Sequence, residues 1–277
     1  MGLRWRPGYL WNETIWNPSM IPTALWLDAA DASTITLNGS TVSQWNDKSG
    51  NARNALQPTA VAQPTYQVAG LNSKPAIGFN GTNNILGFND QSLGKNVGAL
   101  SYFIVFIANA PATTDYRALF DLHTGGVNDR ASLYPRQSAL EAGGRRLDSD
   151  SYQFQQATTL GASATIGSVI FNYSAATLGV GLNGNALSFR AGGFQTAGNT
   201  SDTDSNYIAI GASVDAADRF AVNFGSGCNC VIAEFLCLQS APSDPTRQKI
   251  EGYLANKWGL TANLPAGHPY KNTGPLP

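Results

Sequence analysis

From Thr23 onward the chain reads as short apolar or alternating runs separated by clusters of Gly, Asn, Asp, Ser and Pro, a pattern of strands and turns. Ala24-Leu25-Trp26-Leu27 is a short apolar strand closed by Asp28. Thr34-Ile35-Thr36-Leu37 and Thr41-Val42-Ser43-Gln44-Trp45 flank Asn38-Gly39, the strongest short-range hairpin signal. Ala76-Ile77-Gly78-Phe79, Ile85-Leu86-Gly87-Phe88 and Ala118-Leu119-Phe120 continue the series. The run Tyr102 to Ile107 is apolar at every position and predicts a strand buried on both faces. Ile166 to Tyr173, Leu178 to Leu182 and Tyr207 to Ile210 follow, with further Asn-Gly turns at 80–81 and 183–184. Residues 123–160 are rich in Gly, Arg and Ser with weak periodicity, and predict short strands joined by long exposed loops.

One helix stands out. Asp244 is a good N-cap, Pro245 suits the first helical position, and Ile250, Tyr253, Leu254 and Trp258 recur on one face before Gly259. The spacing predicts a helix over 245–258, followed by an extended tail through Leu264-Pro265-Ala266-Gly267-His268-Pro269-Tyr270. The first twenty residues fit neither period. Trp5, Trp11 and Trp16 alternate with arginines and asparagines there, and the segment reads either as an arm folded across its own domain or as a docking arm. We expect docking through those indoles.

Composition narrows the class. Only 13% of the 277 residues are charged and the net charge is -1, while 43% are hydrophobic. There is enough apolar matter for a core and no basic tract for nucleic acid or anionic membranes. The longest apolar stretch, Ala99 to Ala108, is too short to span a bilayer, and the start lacks the apolar region of a secretory signal. The expectation is a chain made without a leader in a reducing compartment.

Cys228, Cys230 and Cys237 give an odd count with no histidine nearby to complete a zinc site. In Val231 to Leu238 strict alternation places Val231, Ala233, Phe235 and Cys237 on one apolar face, where Cys237 serves as a small hydrophobe. A bridge from Cys237 to Cys228 or Cys230 is left open. Paired carboxylates for glycoside cleavage are scarce. Glu13, Glu141, Glu234 and Glu251 stand alone, and only Asp148/Asp150 and Asp202/Asp204 are suitably spaced, both in Ser-rich segments. His123 and His268 lack a nucleophile elbow, and His268, between Gly and Pro, reads as a turn residue. Asp28, Asp47 and Asp202 are weak calcium candidates, and solvated turn acids explain them as well. Arg145 and Arg146, beside Gly143-Gly144, are candidates for contact with a glycan.

Several segments carry a family resemblance. Trp45-Asn46-Asp47-Lys48-Ser49-Gly50-Asn51, Lys74-Pro75-Ala76-Ile77-Gly78-Phe79-Asn80-Gly81 and Leu182-Asn183-Gly184 resemble concanavalin A-like, laminin-G-like jelly-roll domains. Ile232-Ala233-Glu234, Arg247 to Ala255 and Lys257-Trp258-Gly259-Leu260 resemble their C-terminal strand and helix. The tail through His268-Pro269-Tyr270 is similar to one found in bacteriophage structural proteins and bacterial surface proteins. The match covers roughly 22–272 and omits the Trp-rich arm.

The resemblance implies an all-β, concanavalin A-like jelly-roll β-sandwich over 22–240, a C-terminal helix and tail over 241–277, and an irregular arm over 1–21. One such fold hosts lectins, adhesins, hydrolases and virion parts alike. With no leader and a docking-like arm, the expected function is a non-enzymatic bacteriophage virion protein displayed outward. A tail-associated receptor-binding or fibre module with glycan-binding potential comes first, and a capsid decoration or head-fibre protein second. A polysaccharide-degrading glycoside hydrolase is the remaining class. The expected partners are other virion proteins, host surface glycan and further copies of the chain, with no nucleic acid, no membrane insertion and no cofactor beyond calcium.

Overall fold

A computed structural model describes residues 16–124, 128–204, 207–215, 218–223 and 225–276. The chain is an all-β sandwich with one α-helix near its C-terminus. In the first layer the long strand Asn229–Leu238 pairs with Lys74–Asn80 and Leu25–Asp28 along one side. Leu100–Ala108 lies on its other side, followed in order by Thr165–Asn172, Thr177–Leu182 and Ser188–Phe189. Thr65–Leu71 pairs outside Lys74–Asn80. The second layer runs Ile35–Asn38, Thr41–Trp45, Ala55–Leu56, Leu86–Phe88, Tyr207–Ile210, Phe120–Thr124, Ser132–Arg136, Ala139–Gly144 and Gln153–Thr158. All these pairings are antiparallel, and the layers join at one edge through the Thr41–Thr65 pair.

The main core lies between the layers, where Leu27, Trp45, Phe88, Tyr102, Phe106, Phe120, Phe171 and Phe235 interdigitate. A second core covers the outer face of the first layer: Trp26, Phe103, Val105, Ala233 and Leu236 meet Ile250, Tyr253, Leu254 and Trp258 of the helix. This double cover is why the run Tyr102 to Ile107 is apolar throughout: Tyr102, Ile104 and Phe106 face one core, Phe103 and Val105 the other.

The helix spans Asp244–Trp258. Ser243 is its N-cap, so Asp244 and Pro245 sit one position further inside than their sequence signature predicts. Gly259 closes it in the left-handed region at φ 68°, a backbone conformation that favours glycine. No helix among the described residues is long and apolar enough to cross a membrane.

Four local expectations need correction. The first hairpin turns on Gly39-Ser40, because Asn38 still pairs with Thr41. The strand near 118–120 begins at Phe120 and runs to Thr124. Residues 132–158 are not mainly exposed loops: Ser132–Arg136, Ala139–Gly144 and Gln153–Thr158 form a meander whose first two strands are largely buried. Strict alternation also fails in Asn229–Leu238, where the register shifts between Ile232 and Glu234. Cys230, Ile232, Phe235 and Cys237 face the inner core, while Val231, Ala233, Leu236 and Leu238 face the helix. A β-bulge inserts one extra residue, so residues beyond it change face. All three cysteines are buried free thiols.

The termini pack onto this frame. Trp5 and Trp11 lie outside the described residues, but Trp16 is buried in the second core with its ring edge-on to Tyr253 at 5.9 Å. Its amide donates to the Pro275 carbonyl at 3.2 Å. Trp16 is therefore spent on its own domain and is unavailable as a docking anchor. His268 does close a turn, its amide donating to the Pro265 carbonyl at 2.9 Å. It is buried, with Nε2 3.4 Å from Glu251, whose carboxylate also accepts from Arg247 at 2.7 Å and Ser168 at 2.7 Å.

Candidate functional site

The outer face of the second layer carries a polar and aromatic cleft. It is built on Phe120–Thr124, where alternation sends Phe120 and Leu122 into the core and Asp121 and His123 outward. Across the ladder Asp129 stands directly opposite His123, so their side chains share a face. The His123 imidazole lies between two carboxylates, with Nε2 2.6 Å from Asp121 and Nδ1 3.0 Å from Asp129. Asp121 is fully buried and also accepts hydrogen bonds from the hydroxyls of Ser132 and Ser213.

This geometry sets the charges. Burial alone would lower the His123 pKa, but the charge and hydrogen bond of Asp121, reinforced by Asp129, raise it to about 9. Burial tends to raise Asp121, yet His123 and the serine hydroxyls hold it below the usual carboxylate range. Burial pushes Asp129 up to about 6, with His123 opposing the rise. Both ring nitrogens donate, so the group at neutral pH is an imidazolium clamp. The same trio could bind a divalent ion only after giving up both His123 hydrogen bonds and the imidazolium proton.

A titration follows from these shifts. Because His123 is raised from about 6.5 to about 9, its contribution to stability is complete below pH 6.5 and is lost as pH rises through 9. The imidazole NMR resonances should titrate near pH 9. Unfolding free energy should fall between pH 6.5 and 9, by about 3 kcal/mol on this linkage, and the fall should flatten in His123→Asn. A His123 midpoint at or below 6.5 would contradict the clamp.

The cleft above the clamp encloses about 870 Å³ and is lined by Tyr116, Tyr134 and Tyr152 together with Asp115, Arg117, Ser213, Asn223 and Ser226. Tyr116 is half exposed, sits edge-on to Tyr134 at 5.3 Å, and carries the Arg136 guanidinium 4.2 Å from its centroid. Tyr152 folds over Gly143: a Cβ there would meet the Tyr152 hydroxyl at 2.0 Å, so only glycine admits the ring. Burial, with the charges of Asp129 and Glu141, pushes the Tyr152 phenol well above its ordinary value, and its buried hydroxyl has no protein partner. It stays protonated, packed against Gly143.

The residues singled out from sequence fall elsewhere or diverge. Asp28 is buried and paired with Lys48 at 2.9 Å and Lys257 at 2.7 Å. Asp47 accepts from the amides of Trp26, Ser49 and Arg53, which ties down a turn. Asp202 is exposed beside Lys95. The three do not converge on a calcium site, because each already satisfies local donors or solvent. Arg146 is held by Thr196 at 2.9 Å and the Asn199 carbonyl at 2.8 Å, whereas Arg145 donates to the Asp150 carbonyl at 3.2 Å. The two guanidiniums serve separate loops, and only Arg145 bears on the His123 clamp through its charge. Asp148 is bound by Arg130, Thr124 and Thr203, and Asp150 caps the Leu147 amide. Asp202 and Asp204 share Lys95 at the surface. The Asp121-Leu122-His123 alternation is the sequence signal for the cleft, and a strand over 118–120 ends before it.

No protein-family model matches the chain, and no curated protein sequence matches it. Among solved structures it is similar to the binding domain of Paraclostridial Mosquitocidal Protein 1, with a TM-score of 0.58 and 11% identity over 85% of this chain and 53% of that one. The ligand-binding domain of botulinum neurotoxin serotype D in complex with N-acetylneuraminic acid gives a TM-score of 0.56 and 11% identity over 84% and 51%. The receptor-binding domain of botulinum neurotoxin type G gives 0.55 and 8% over 83% and 51%. The chain spans about half the length of these structures, and the likeness is one of fold.

Proposed function

We propose that this chain is a non-enzymatic carbohydrate-binding module whose ligand lies in the tyrosine-lined cleft of the second layer. The observation that carries the reading is the combination of three tyrosines with hydroxyl, amide and carboxylate groups around one concave surface. Tyrosine rings offer apolar faces for the C–H side of a pyranose, and the polar groups suit its hydroxyls. The fold is shared with domains whose names specify receptor binding and, in one case, bound N-acetylneuraminic acid, which supports the same reading.

A hydrolase is the second reading, favoured by the opposite shifts of Asp121 and Asp129. Asp121 is fully buried with His123 bonded to it, leaving Asp129 as the member of that pair that lines the cleft. Glycoside cleavage ordinarily needs two carboxyl groups flanking the bond, and the other acid lining the cleft, Asp115, is ion-paired with Arg117 at 2.9 Å. Binding is therefore the better account. On a glycan array Tyr116→Ala should weaken the strongest interaction at least tenfold, about 1.4 kcal/mol, with an unchanged melting temperature. Release of reducing sugar from polysaccharide, abolished in Asp129→Asn, would overturn the binding reading.

The finer placement, on the exterior of a bacteriophage particle, is supported by the resemblance of the C-terminal tail through His268-Pro269-Tyr270 to one found in bacteriophage structural proteins. A tail-associated receptor-binding or fibre module fits the glycan reading, with capsid decoration as the alternative and further copies of the chain as neighbours. With Trp16 buried, Trp5 and Trp11 are the indoles left to that proposal as anchors. Detection of the chain in purified virions supports it, and absence from them overturns it.

A further inference from the structure

The charges around the cleft are numerous but already matched. Among its described lining residues the cations are Arg117 and His123 and the anions Asp115 and Asp129. Arg117 Nη2 lies 2.9 Å from Asp115 and also reaches the Gly81 and Gly227 carbonyls through Nη1. His123 is held on both nitrogens by carboxylates. Arg136, stacked on Tyr116, is bonded to Glu141 at 3.0 Å and to the Thr114 carbonyl at 2.8 Å. Arg145, whose charge reaches the clamp, donates to the Asp150 carbonyl.

A ligand carboxylate or sulfate needs a cation able to turn toward it, and here Arg117 would have to leave two backbone carbonyls as well as Asp115, and His123 a buried carboxylate. A neutral sugar makes no such demand. Its hydroxyls both donate and accept, which suits the exposed Asn223 amide and the Ser213 and Ser226 hydroxyl oxygens lining the same cleft. We propose that the cleft selects neutral glycans and discriminates against sialylated, uronic or sulfated ones. This rests on the carbohydrate-binding reading and differs from the N-acetylneuraminic acid seen with one structural neighbour.

The test is an array of matched pairs, each neutral oligosaccharide printed beside its sialylated and its sulfated form, probed with the full chain and with Tyr116→Ala. Asn223→Ala is the second variant, since it deletes only an exposed amide that lines the same cleft. The expected result is binding to neutral members, a loss of at least tenfold on adding sialic acid or sulfate, and weaker binding by both variants. Preference for the anionic members, still abolished by Tyr116→Ala, would overturn the neutral assignment and leave the site intact. Neutral binding indifferent to both variants would place the ligand elsewhere and overturn the site. Silence across the whole array would overturn both.

Discussion

Glu234→Ala is expected to destabilise the protein by about 3–5 kcal/mol, the largest effect of any single polar substitution in the sandwich. The Glu234 carboxylate is completely buried between the first layer and the helix. Oε1 accepts from the Trp26 indole at 2.8 Å and the Tyr253 hydroxyl at 3.0 Å, and Oε2 from the Trp258 indole at 2.6 Å. Lys257 lies 2.7 Å from Oε2 and 2.7 Å from Asp28, which Lys48 also contacts. Burial pushes the Glu234 carboxyl up, and Lys257 opposes the rise. Removing the carboxylate leaves two indole N–H groups and a phenol O–H without their acceptor and Lys257 with Asp28 as its remaining carboxylate, and buried unpaired donors are costly. Glu234→Gln keeps one oxygen but turns an amide N–H₂ toward a donor, so about half the loss is expected. Chemical denaturation with an unchanged m-value measures both. A loss below about 1 kcal/mol in Glu234→Ala would show that the network does not hold the helix.

Trp16→Ala is the second large effect, again about 3–5 kcal/mol, the range for removing a buried tryptophan side chain. Trp16 is only 3% exposed and rests on Tyr253, so its loss opens a cavity beside the Glu234 network. Trp16→Phe retains an aromatic edge against Tyr253 and should cost less than half as much. An indole that docked on another molecule would leave the melting temperature unchanged on its removal. A drop on the order of 10 °C in Trp16→Ala is expected instead. An unchanged value would restore Trp16 to the docking role.

The strands and the helix were legible because their signals are local. Alternation, Asn-Gly turns and the apolar face of Ile250, Tyr253, Leu254 and Trp258 each involve neighbours in sequence, and backbone geometry alone fixes how such neighbours are displayed. The all-apolar run at 102–107 even foretold two covering layers. The motif residues Glu234 and Trp258 were visible as a resemblance, but their reason was not. It is a hydrogen bond between a strand and a helix residue 24 positions apart.

The cleft was not legible, for a physical reason that its residues make plain. His123, Tyr134, Tyr152, Ser213 and Asn223 come from separate strands and loops, and only strand order in the second layer makes them neighbours. Its polar outward positions also blur the alternation of residues 123–160, so the segment that carries the site looked like loop. The bulge at Ala233 shows the same limit from the other side. Sequence determines which residues can lie on a strand, but the face each one presents depends on register. Here register is set by the partners Leu100–Ala108 and Lys74–Asn80 and by the two cores that those faces must fill.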